Sequence, residues 1–208
     1  MSLLDLDAFG DAPLTREPFE FVVVPGFLKS GTVAAVRKDF PDISHAGLFP
    51  LSELSFGPSF AALIDEIRGR DVEAAFSDKF GVDLSGHPLM ITVRGRCQRK
   101  DGRIHTDTGS KIVTVLLYLN EEWEAEGGRL RFLRGPDDLD DAVGEVSPNG
   151  GTLIAFRRSD RSYHGHKPYV GVRRYVMFNW MTDAKAMARE LARHRMSARL
   201  KGFVPWLR

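Results

Sequence analysis

A chain of 208 residues, 43% hydrophobic and 27% charged, can bury one substantial core and has the mixture of a soluble globular protein. Its net charge of +1 removes any overall electrostatic case for nucleic acid or an anionic membrane, and no run approaches the roughly 18 apolar residues of a membrane span. The single Cys97 excludes an intramolecular disulfide and a cysteine-based zinc cluster, which fits a reduced compartment.

Residues 1–17 lack the basic start and apolar core of a secretory signal, so a cytoplasmic protein is expected; their acidic and proline-containing clusters read as a loosely attached arm. Phe19 to Val24 is β-branched and aromatic and stops at Pro25-Gly26, which predicts a strand. Ser30 offers an N-cap for a helix across Val33 to Phe40, closed by Pro41. Residues 41–57 carry Pro, Gly and Ser without periodicity and read as a long loop. Helical spacing of apolar residues over 60–67 and 72–76 predicts one or two helices ending at Gly81. From Pro88 the character changes. Residues 89–93, 112–119, 129–133, 151–156 and 174–180 are short strand-like runs separated by Gly, Pro, Asp and Asn clusters. Such a series predicts a mainly β sandwich or barrel with helices packed outside one sheet. Ala184 to Leu200 reads as a basic amphipathic helix ending at Gly202, suited to covering a sheet or to joining a second subunit as a homodimer. The expected organisation is the arm, 1–17, then one domain, 18–208. Within it, 18–87 is helical support, 88–182 the β core and 183–208 a C-terminal helix.

Two stretches carry metal chemistry. In Arg103-Ile104-His105-Thr106-Asp107 the two ligand types are separated by one residue, so at a strand end both point to the same face. A second imidazole from another strand would complete two nitrogens and one carboxylate, and Ser162-Tyr163-His164-Gly165-His166 offers two candidates. That set fills one face of an octahedron and leaves the other open, which suits Fe(II) or Mn(II) better than a closed structural zinc site. Alone, His-x-Asp is short enough to match by chance, as a surface turn in which Asp107 caps a backbone amide. The surroundings decide.

From about Arg103 to Trp180 the chain resembles the 2-oxoglutarate- and Fe(II)-dependent oxygenases, in the branch that contains prolyl hydroxylases. His105-Thr106-Asp107 stands for the family's His-x-Asp, and Leu117-Tyr118-Leu119-Asn120 looks like its Tyr-Leu-Asn strand end. Gly127-Gly128-Arg129-Leu130 resembles its Gly-Gly-x-Leu strand, and Pro148-Asn149-Gly150-Gly151 its Pro-x-x-Gly run. His164 and Arg174 are spaced like its distal histidine and co-substrate-binding basic residue. The resemblance implies a double-stranded β-helix, a squashed jelly-roll barrel like that of the cupins, with N-terminal helices packed on one sheet. It implies that His105, Asp107 and His164 hold Fe(II) as the catalytic centre. 2-Oxoglutarate and O2 would be co-substrates, with ascorbate an accessory reductant. A peptide side chain or small molecule would be hydroxylated with release of succinate and CO2.

Along Arg174 to Trp180, alternation puts Arg174, Val176, Phe178 and Trp180 on one face. Arg174 is expected to anchor the far carboxylate of 2-oxoglutarate, with Trp180 lining the same cavity and excluding water. Arg173, on the opposite face, is the rival. Prolyl hydroxylases often place tyrosines about ten residues before His-x-Asp and just before Tyr-Leu-Asn. Here Arg94-Gly95-Arg96-Cys97-Gln98 and Leu117 stand there, so Leu117 takes a co-substrate position and the hydroxyl partner falls to Thr114 or Tyr163. His166 competes with His164 for the metal, or hydrogen-bonds substrate or co-substrate. Arg94, Arg96, Arg99, Lys100 and Arg103 concentrate positive charge before the metal motif. Arg96 and Arg103, with Tyr163, His166 and Arg173, are candidates for a substrate mouth that recruits an anionic molecule or acidic peptide. Two other readings use the same ligands: a sensor that binds metal and an organic acid without turnover, and a cupin-type metalloenzyme that does not use 2-oxoglutarate.

Overall fold

The computed structural model describes the backbone of residues 2–202 and the side chains of residues 2–196. Two antiparallel sheets form the framework. The larger contains β1 (Phe21–Val24), β2 (Phe49–Pro50), β3 (Leu89–Cys97), β4 (Lys111–Tyr118), β7 (Leu153–Arg157) and β9 (Gly171–Met181), in the order β1-β7-β4-β9-β3-β2. The smaller contains β5 (Leu130–Leu133), β6 (Ala142–Val146) and β8 (His164–Gly165), in the order β6-β5-β8. Phe132 and Leu130 of the small sheet pack against Phe21, Leu116, Tyr118, Phe156 and Met177 of the large one, so the two face each other as the layers of a double-stranded β-helix.

The outer face of the large sheet is covered by helices α1 (Leu6–Asp11), α2 (Ser30–Lys38), α3 (Pro58–Ile67) and α4 (Arg70–Phe80); α5 (Ala184–Gly202) follows β9. Helix α3 starts with Pro58 in its first turn, where a missing N–H costs nothing, and Phe60, Leu63, Ile64 and Ile67 form one buried stripe. Helix α4 buries Val72, Phe76 and Phe80 and stops at Gly81, whose φ of 58° is the left-handed conformation glycine tolerates best. Those stripes meet Val113, Val115 and Leu117 of β4 and Val176, Phe178 and Trp180 of β9 in one apolar core.

Two expectations change. Within the expected arm, residues 2–17 are not loose: Leu4 and Phe9 are buried, and the Phe9 ring stacks on Phe76 at 4.2 Å. The Glu66 carboxylate accepts from the backbone N–H groups of Leu3 (2.8 Å) and Leu4 (3.1 Å), tying the segment to α3. Residues 41–57 are also more ordered than a loop, holding β2 and a single 3-10 turn at Leu51–Glu53. Among the described residues no helix is long and apolar enough to cross a membrane.

Candidate metal centre and its cavity

Pleating decides which residues of β4 and β9 face the space between the sheets. Thr114 and Leu116 of β4, and Arg173, Tyr175 and Met177 of β9, line a cavity of about 160 Å³. Their neighbours Val113, Val115, Leu117, Val176, Phe178 and Trp180 turn to the helices. His105 and Asp107 lie just before β4, and His164 opens β8. Backbone hydrogen bonds run both ways between His105 and His164, at 3.1 and 3.0 Å, stitching the two ligand segments together.

One ligand atom each from His105, Asp107 and His164 lies within 4.8 Å of the others, close enough for one ion. The imidazoles are oriented from behind. His105 Nδ1 is 2.9 Å from the Arg103 carbonyl and His164 Nδ1 is 2.9 Å from the Ser162 carbonyl. A carbonyl only accepts, so Nδ1 carries the proton in both rings and Nε2 keeps its lone pair for a metal. Burial pushes the His164 ring down to about 4, against the pull of Asp107, so it is neutral at physiological pH. His105 is exposed and forms the solvent side of the cluster.

Asp107 is gripped through both oxygens. Lys111 Nζ donates to Oδ1 at 2.9 Å, and the Thr114 hydroxyl donates to Oδ2 at 2.5 Å. Asn179 Nδ2 in turn donates to Thr114 Oγ1 at 2.8 Å, inside the sheet. Burial alone would raise the Asp107 carboxyl; the Lys111 ammonium, the His164 ring and the Thr114 hydroxyl outweigh it and hold the group well below the usual carboxylate range. Two imidazole nitrogens and one fixed anion suit a divalent first-row ion of the iron type.

Away from the ligands, the cavity contains Arg173 and not Arg174. Arg173 is 1% exposed; its Nε donates to the Gly128 carbonyl at 2.8 Å and Nη2 to the Tyr118 hydroxyl at 3.2 Å. The guanidinium lies 5.3 Å from the Tyr118 ring centre and 5.1 Å from that of Tyr175, with no acidic partner among the described residues. Burial, opposed by Arg173, pushes the Tyr118 hydroxyl up to about 12, so it remains a donor.

Arg174, expected as the anchor, faces outward over Phe40. The expected sharing of a face with Trp180 holds, but that face belongs to the core: Trp180 packs 5.0 Å from Phe76 and lines no cavity at the ligands. Leu117 is buried on the same helix side, and Leu116 is the cavity residue. Three aliphatic or aromatic residues at 176, 178 and 180 mark the helix-covered face, and that signal points to Arg173 as the inward arginine.

Thr114 reaches the cavity, where its hydroxyl meets Asp107. His166 lines it too, with Nδ1 2.8 Å from the Lys167 carbonyl and its ring against Gly102. Burial, reinforced by Arg173, pushes His166 down to about 4. Arg103 is exposed and offers its carbonyl to His105, Tyr163 lies outside the cavity lining, and exposed Arg96 lines a different cleft. Lys111, Asn179 and Tyr118 escaped sequence reasoning, as did Asp101, which lines the cavity and accepts from Arg94 Nη1 at 2.5 Å. Lys111 had a signal, a lysine four residues after the ligand aspartate at the start of an apolar strand.

The model of the 2OG-Fe(II) oxygenase superfamily matches residues 95–182, and no curated protein matches the sequence. A prolyl-4-hydroxylase from Pseudomonas putida is similar with a TM-score of 0.55 at 18% identity, covering 85% of this chain and 90% of its own. The viral collagen prolyl hydroxylase of Paramecium Bursaria Chlorella virus-1, in a 2OG complex, gives 0.53 at 17%, covering 76% and 93%. HygX from Streptomyces hygroscopicus, with nickel and 2-oxoglutarate bound, gives 0.52 at 17%, covering 77% and 82%. The matched residues carry the β core and the His-Asp-His cluster, so this part of the chain is similar to the 2OG-Fe(II) oxygenase superfamily, and the chain has the fold of the prolyl 4-hydroxylases.

Proposed function

We propose that this protein hydroxylates a C–H bond of a small molecule or peptide side chain that carries negative charge. On this reading His105, Asp107 and His164 hold Fe(II), and Arg173 holds the far carboxylate of 2-oxoglutarate. The observation that carries it is a fully buried guanidinium without an acidic partner among the described residues, in the same cavity as the three ligands. A permanently charged group in such a place calls for an anion, and its planar fork suits a carboxylate.

The bound iron and co-substrate supply the oxidation: R–H, 2-oxoglutarate and O2 give R–OH, succinate and CO2. The chain's own residues do the rest. The Tyr118 hydroxyl oxygen accepts from Arg173 Nη2 while the Gly128 carbonyl accepts from Nε, which fixes the guanidinium and leaves the Tyr118 O–H as a second donor near the same carboxylate. Thr114 and Lys111 keep Asp107 charged and oriented. Leu116, Leu130 and Met177 exclude water from the middle of the cavity. At about 160 Å³ the cavity is well below the roughly 300–1,000 Å³ of a pocket that encloses a drug-sized ligand, so it has room for one small organic acid. The substrate is then presented from the exposed His105 side, past the cations of the 99–103 turn.

Anaerobic titration of the apoprotein with Fe(II) and 2-oxoglutarate tests this through the visible charge-transfer band. The band is expected in wild type and in His166→Ala, absent in His164→Ala, and shifted to about tenfold or more higher co-substrate in Arg173→Ala but not in Arg174→Ala. A band that depends on Arg174 and ignores Arg173 would overturn the assignment. No band in wild type would leave a metal-only cupin.

A further inference from the structure

The arginine turned out of the cavity has surroundings of its own. Arg174 lines a second cleft of about 370 Å³ with Arg37, Lys38 and Arg96, whose apolar wall includes Phe40, Ile43 and Val172; Asp42 is the one acid in that lining. The Arg174 guanidinium sits 5.5 Å from the centre of the Phe40 ring, and among the described residues Arg174, Arg96 and Lys38 make no ion pair. Arg37 meets exposed Glu121, while its Nε is buried with no partner. Val172 is 41% exposed at the rim, an apolar surface beside the charges.

Adjacent residues of one strand, Arg173 and Arg174, therefore serve two compartments on opposite faces of the sheet. Arg94 and Arg173 face the cavity, and Arg37, Arg96 and Arg174 the cleft. Gathering these side chains raises a strong positive potential, focused where low-dielectric walls flank the cleft. Glu121, Glu122 and Glu124 line the adjoining cleft that shares Arg37, Val172 and Arg174, whereas Lys38 and Arg96 lie on the side where Asp42 is the one acid in the lining. Guanidinium forks at several angles match the oxygens of a phosphate group better than a single carboxylate, and Phe40 and Val172 offer an apolar platform next to them.

We propose that this cleft is a second anion site, separate from the metal centre, which binds the phosphate of a small phosphorylated ligand whose apolar part lies on Phe40 and Val172. The proposal stands independently of the reaction assigned to the cavity.

Phenyl phosphate is the probe, a dianion with a flat apolar end, titrated calorimetrically into the full chain loaded with Mn(II) and 2-oxoglutarate. One saturable site is expected, with phenol giving no binding. Arg174→Glu should weaken it about tenfold or more, and Arg173→Ala should leave it unchanged. Arg96→Ala, at an exposed position, should weaken it in the same direction and stands in if Arg174→Glu fails to fold. Absence of saturable binding, binding indifferent to both Arg174→Glu and Arg96→Ala, or binding lost only in Arg173→Ala would each overturn the proposal.

Discussion

Strand β9 presents two opposed regions. Its inward residues, Arg173, Tyr175, Met177 and Asn179, are polar or adaptable, and each touches the cavity or its hydrogen-bond network. Its outward residues from Val176 on, Val176, Phe178 and Trp180, lie 0–1% exposed in the helix-covered core. One face holds a buried guanidinium and polar groups, and the other holds the apolar volume that fixes the strand against the helices. The metal centre is therefore positioned by residues that never touch it, and the two faces should respond differently to substitution.

The largest effect is expected on the core face. Trp180→Ala removes a side chain packed on Phe76 and Phe178 and should cost about 3–5 kcal/mol in denaturant unfolding. Molecules that remain folded should bind metal as wild type does. A loss of metal affinity in the folded fraction would show that the faces are not separable.

Acid sharpens the contrast, because its targets lie on the inner face. His164 and His166 are held near about 4, and the unfolded chain protonates them from about 6.5 downward. Their contribution is complete above about 6.5 and is lost as pH falls to about 4, at up to roughly 3 kcal/mol per ring. Asp107, lowered instead, adds stability that is present above about 3.9 and disappears below it. Metal-free protein unfolded in urea between pH 8 and pH 3 should therefore weaken in two successive stretches. Lys111→Met should cost about 3 kcal/mol at neutral pH by leaving Asp107 buried without its cation, and should flatten the lower stretch. A pH profile unchanged by that substitution would mean the ion pair does not set the Asp107 charge.

Much of this was legible from sequence because motif and periodicity agree. The pairing of His105 with Asp107 was legible from their spacing at a strand end, His164 over His166 from the family resemblance, and the strand runs from β-branched and aromatic composition. Arg174 faces outward, against expectation, because alternation shows which residues share a face but not which face is inside. That choice was made by the stripes of α3 and α4, which end at Phe80, far upstream of β9, and require an apolar partner surface. Strands β2, β6 and β8 escaped notice for a different reason. They are two to five residues long and owe their pairing to neighbours rather than to their own composition.

The smallest effect expected is also the finest test of the inner face. Thr114 Oγ1 receives a hydrogen bond from Asn179 and gives one to Asp107, so a single hydroxyl couples the sheet interior to the ligand carboxylate. Thr114→Val keeps the shape and removes both bonds, leaving Asn179 Nδ2 without its partner beside an Oδ1 that already has none. The stability cost should be about 1–3 kcal/mol, less than for Trp180→Ala. The distinguishing readout is metal affinity: Mn(II) titration should show about a 10–100-fold loss, since a carboxylate freed to rotate must be ordered by the ion itself. Unchanged affinity with the same stability loss would mean that Lys111 alone orients Asp107, and that the Asn179–Thr114 chain serves the sheet rather than the metal.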